Sequence, residues 1–171
     1  MAVSKDLGRT HSQMARLLLE GINGLDDEIQ KVAILRLVDF HFTGVKRYYD
    51  LLADALINHE GDRMEQAAPE ERSAWLENVA TILLARHRAD LSGMGINNVL
   101  NGRLTFEGFA DEINATYEDG GESVNLAATA HYLLFRRLTE LGFVKMAGEE
   151  REKVRTMARP GSVLLIKIGA N

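Results

Sequence analysis

Apolar residues recur at helical spacing along most of this chain. Thr10 to Glu20 predicts a first helix, with Thr10 placed to cap its start and Gly21 to stop it. A much longer periodic stretch follows from about Leu25 to Ile57. Its apolar positions are Ile29, Val32, Ala33, Leu37, Phe40, Val45, Tyr48, Leu51, Leu52, Ala55 and Leu56. Asp26, Asp27 and Glu28 at its start suit the positive end of a helix dipole, while Thr43 and Gly44 mark a place to kink or divide it. Asn58 to Ala68 reads as a polar loop containing Glu60, Asp62 and Glu65. Pro69, followed by Glu70 and Glu71, opens a third helix that should run to about Leu91 and bury Trp75, Val79, Ile82 and Leu83. Ser92-Gly-Met-Gly95 breaks it, and Asn98 to Gly102 forms the boundary with the C-terminal part.

Beyond that boundary, Thr105 to Asn114 predicts a short helix and Tyr117 to Ser123 a turn. Leu126 to Leu141 is amphipathic: Leu126, Ala130, Leu133, Leu134, Leu138 and Leu141 share one stripe. Asn125, Ala128, Thr129, Tyr132, Arg136 and Thr139 lie opposite, offering amide, hydroxyl and guanidinium groups of the kind that read base edges or hold phosphate. Phe135 falls off the apolar stripe, so it either packs under the next segment or marks a partner surface. Gly142-Phe-Val144 follows, then a basic polar stretch from Glu149 to Ser162, then the β-rich run Val163 to Ile168.

Helix, short strand, charged hairpin tip and closing strand in this order resemble the second half of a winged helix-turn-helix, over roughly Leu104 to Ile168. The run Phe135-Arg-Arg-Leu-Thr-Glu-Leu-Gly-Phe-Val-Lys145 is similar to the end of a recognition helix entering the first wing strand. The turn from Ala115 to Glu122 departs from that pattern by its length. The resemblance implies a mainly α protein: an N-terminal helical region over 1–92, available for dimerisation, and a winged-helix-like domain over 104–171 that ends in a β-hairpin. It further implies a homodimeric transcriptional regulator bound to double-stranded DNA. Asn125, Thr129, Tyr132 and Arg136 would face the groove, and Arg151, Lys153, Arg155 and Arg159 would hold phosphate from the wing.

Charge supports the same end of the molecule. The net charge is −5, yet His131 to Asn171 carries eight Lys/Arg against four Glu, so an acidic body ends in a basic segment. A hydrophobic content of 46% is enough for a proper core, and zero cysteines exclude disulfides and thiolate metal sites. With no secretory leader and no apolar run long enough for a bilayer, a cytoplasmic protein without membrane contact is expected.

Catalytic signatures are weak. His41, His87 and His131 fall on separate predicted helices, where a bundle could gather them on a metal, but no two histidines stand three or four apart and no Glu-x-x-His motif occurs. Gly93-Met-Gly95 follows a helix rather than a strand, unlike a dinucleotide fingerprint. We therefore expect no enzyme, metal or cofactor. The competing readings are an interaction module or adaptor holding a protein through an apolar patch around Tyr132 and Phe135 and, less favoured, a metal-dependent helical-bundle enzyme.

Overall fold

The computed structural model describes residues 24, 27–103 and 123–169, with side chains at all of these except 91–96 and 123–126. Five helices occupy the described residues: α1 Glu28–Glu65, α2 Pro69–Leu100, α3 Ser123–Glu140, α4 Val144–Met157 and α5 Val163–Lys167. The expected first helix (10–20) and the helix expected over 105–114 lie outside them.

The mainly α class stands, but the winged-helix architecture does not. Among the described residues there is no strand, hence no terminal β-hairpin and no wing. The stretch read as first wing strand and hairpin tip is α4, and the run read as closing strand is α5. The physical reason is visible in α4, where Met146, Ala147, Glu150 and Val154 are buried at helical spacing. Its charges pair along the helix, Glu150 with Lys153 and Glu152 with Arg155. In α5 the Ser162 hydroxyl accepts from the Leu164 amide, and Gly169 at φ 73° takes the left-handed conformation that ends the turn.

Two further boundaries move. The segment expected as a loop after Asn58 continues α1 to Glu65, and α2 runs through Ser92-Gly-Met-Gly95 to Leu100. The start of α1 is capped by Asp27, whose carboxylate accepts from the amides of Ile29 (2.9 Å) and Gln30 (3.4 Å). Pro69 opens α2, as its fixed φ and missing N–H favour.

The chain forms two compact units, and both long helices contribute to each. In the unit holding residues 5–48 and 85–119, the described parts of α1 and α2 run antiparallel: Lys46 bonds Asp90 at 3.1 Å and, seven residues away on each helix, Asn97 reaches Asp39 at 3.4 Å. Leu35, Val38, Phe42, Ala85 and Ala89 are buried there.

The other unit takes residues 49–84 and the described residues 123–169. Its core joins Ala53, Ile57 and Met64 of α1, Trp75, Leu76, Val79 and Leu83 of α2, Ala130, Leu134 and Leu138 of α3, and Met146 and Ala147 of α4. A satellite cluster of Tyr132, Val154 and Ile168 seats α5. The turn between α3 and α4 uses Gly142 at φ 88°, with the Phe143 amide donating to the Leu138 carbonyl at 2.9 Å. Phe143 then lies directly on the backbone of α1, because a Cβ on Gly61 would sit 2.5 Å from two of its ring atoms.

That contact sets a prediction. Gly61→Ala improves helix propensity by about 1 kcal/mol, but it must displace a packed ring, an overpacking of about 1–3 kcal/mol. Urea unfolding should show a net loss of about 1–2 kcal/mol. In a Phe143→Leu background the same change should be neutral or stabilising.

Candidate functional site

The residues expected to touch DNA do not form one free cationic surface. Arg136 is exposed but faces Glu140 at 3.4 Å, one turn along α3. Lys153 donates to Glu150 at 2.7 Å and Arg155 to Glu152 at 2.8 Å. Arg151 donates to the Ile168 carbonyl at 2.8 Å, holding the end of α5 against α4. Tyr132 is buried, with the Lys167 ammonium 5.5 Å from its ring centroid. Thr129 is half-buried and Arg159 exposed. The side chain of Asn125 lies outside the described residues. Of the two residues expected to mark an apolar partner surface, Tyr132 is instead buried and Phe135 packs against both clusters of the core.

Three polar clusters tie α3 and α4 into their unit. Glu150 has no exposed surface; its carboxylate is hydrogen-bonded with His131 Nδ1 and accepts from Lys153 Nζ. Arg137 spreads its guanidinium between Asp54 (2.6 Å) and Asp50 (2.7 Å) of α1. Burial lowers its pKa, but the hydrogen bond to Asp50 and the charges of Asp54 and Asp50 outweigh that and raise it. A raised base stabilises the fold at every pH below its unfolded pKa, so Arg137 works across the whole practical range. Arg72 donates to the carbonyls of Met64 and Ala67, both at 3.2 Å, closing the open end of α1. It also donates to both Glu149 carboxylate oxygens at 3.0 and 2.8 Å.

These clusters are structural ties. His131 and Glu150 form a buried dyad, and among the described residues no group of three or more His, Asp or Glu is placed to hold a metal ion.

An unsatisfied feature lies instead on α1. Ile29 is 81% exposed, Leu37 69%, Phe40 80% and Tyr48 62%. With Ile29 at zero and about 100° per residue, these four fall with Ala33 and Gly44 inside an arc of about 100°. Ala33 and Gly44 are also exposed. The buried Leu35, Val38 and Phe42 lie on roughly the opposite side. One helix therefore carries two apolar faces, one packed within its unit and the other open along about 29 Å. Sequence reasoning listed Ile29, Ala33, Leu37, Phe40 and Tyr48 among the apolar positions of this helix and left out Leu35, Val38 and Phe42, the residues that are buried.

No family model matches this chain, and no curated protein or solved structure matches it.

The buried carboxylate makes a stability prediction. Glu150→Gln should destabilise the protein by about 2–4 kcal/mol in chemical denaturation, because a buried charged network loses its centre. Lys153→Met, at the half-exposed edge of the same network, should change stability by no more than about 1 kcal/mol.

Proposed function

We propose that this protein is a helical interaction module that holds a protein partner on the open face of α1. The observation that carries this reading is the stripe Ile29, Leu37, Phe40 and Tyr48, each more than half exposed on one side of a continuous helix. It amounts to roughly 500 Å² of largely apolar residue surface, at the upper end of what a monomer leaves uncovered. A line of i, i+4 and i+3 anchors on a helix is the pattern by which helices lie in apolar grooves or beside one another. The exposed, unpaired cations that a phosphate-binding wing would need do not gather at the C-terminal end, where Arg136, Lys153 and Arg155 face carboxylates. The DNA-binding reading is accordingly set behind this one.

A photo-reactive amino acid placed at Phe40 should cross-link a discrete protein in the native cells, whereas the same group at the exposed Asn78 should not. Adding Ile29→Ser and Leu37→Ser should abolish the adduct while shifting unfolding free energy by no more than about 0.5 kcal/mol, because both side chains already face water. Equal labelling at the two positions, or none at Phe40, would overturn the assignment.

A further inference from the structure

Charge along the borders of the stripe identifies the kind of partner. Arg36 and Arg47 are exposed on α1 and have no hydrogen bond or ion pair within the described residues. On the wheel that places Ile29 at zero, they fall at about 340° and 0°, along one edge of the apolar arc and about 16 Å apart. The other edge carries Gln30 and His41, which supply no negative charge. The nearest acid on this stretch of α1, Asp39, lies farther round and accepts from Asn97. The open face is thus apolar along its middle and basic along one side, in a chain whose net charge is −5.

We infer that this face seats an acidic amphipathic helix of a partner protein, an inference that rests on the docking role given above. Its apolar anchors would lie along Ile29, Leu37, Phe40 and Tyr48, and its carboxylates would meet Arg36 and Arg47. Gly44 fits such an occupant. It is exposed between Phe40 and Tyr48, and an added Cβ there would meet nothing within 4 Å, so packing within this chain does not require a glycine. The notch lets a large side chain of the incoming helix drop between the two rings.

Other occupants fit less well. In a two-fold antiparallel pair of this face, the arginine edges of both copies meet; in a parallel pair they meet Gln30 and His41. Neither arrangement supplies a counter-ion. A phosphate backbone would neutralise the arginines but leave the apolar middle uncovered.

The test uses two labelled synthetic peptides of about 21 residues, enough to span the stripe, with leucine at the a and d positions. One carries Glu at e and g, the other Lys. Anisotropy titrations on the full chain should show the Glu peptide binding about tenfold tighter at about 50 mM salt, with the difference shrinking at about 200 mM. Arg36→Glu with Arg47→Glu should reverse the order, and Leu37→Ser with Phe40→Ser should weaken both peptides. Equal affinities that still depend on Leu37 and Phe40 would overturn the acidic partner and leave the docking role standing. Binding of neither peptide would also overturn it, as would a dimer in sedimentation velocity or flotation with phosphatidylserine vesicles that Leu37→Ser with Phe40→Ser removes. A cross-link at Phe40 alongside any of these results separates the failure of this inference from that of the docking role.

Discussion

A carboxylate with no exposed surface is tolerated only where its charge is answered on the spot, and Glu150 imposes that condition on the whole C-terminal part of the molecule. His131 must come from α3 to meet it, and Lys153 must sit one turn along the same helix. Both conditions require residues 144–157 to be helical and packed on α3. A two-residue alternation, as in a wing strand, would put Glu150 and Lys153 on opposite faces and break the network. Once α4 is a helix, Arg72 can reach Glu149, and Arg151 can take the Ile168 carbonyl that secures α5. The basic end of the sequence is therefore largely consumed in holding its own structure.

How much of this was legible depended on where polar residues lie. The helix starts were readable from local chemistry, in the acids before α1 and in Pro69 followed by two glutamates. Gly142, at the end of α3, was readable in the same way. Two of the failures share one cause, which is that polar or small residues turned out to be buried. Gly61 looked like part of a loop, yet it is the point on α1 that accepts the Phe143 ring. Glu150 looked like solvated charge, so the period Met146, Ala147, Glu150, Val154 lost its third member and the helix went unrecognised. Val163 to Ile168, apolar except at Lys167, is a short run that periodicity alone assigns to neither helix nor strand. Its caps, Ser162 and Gly169, held the decisive information.

The open face of α1 was hidden for a different reason. A helix that is apolar on two opposite sides gives a dense list of apolar positions with little directional bias, and such a list reads as one broad core face. Burial shows which side packs: Leu35, Val38 and Phe42 are buried, whereas Ile29, Leu37 and Phe40 are exposed. That separation matters because the inner face already accounts for the packing of this helix in its unit. Ile29, Leu37 and Phe40 gain little from the fold of this chain, since each remains mostly in water.

Side chains of that size in a continuous line are a hazard for association with any apolar surface, including another copy of the same line. The two arginines on one edge alter that balance in a directional way. They add like-charge repulsion to self-pairing in the antiparallel sense, yet they reward a partner that brings carboxylates to the same edge. The apolar middle supplies affinity that is indifferent to sequence, and the border supplies the choice. An interface built in this manner needs no buried ion pair, because Arg36 and Arg47 stay in water until the partner arrives and remain at the rim once it is seated. Desolvation is thereby confined to the aromatic and aliphatic positions, where it is favourable.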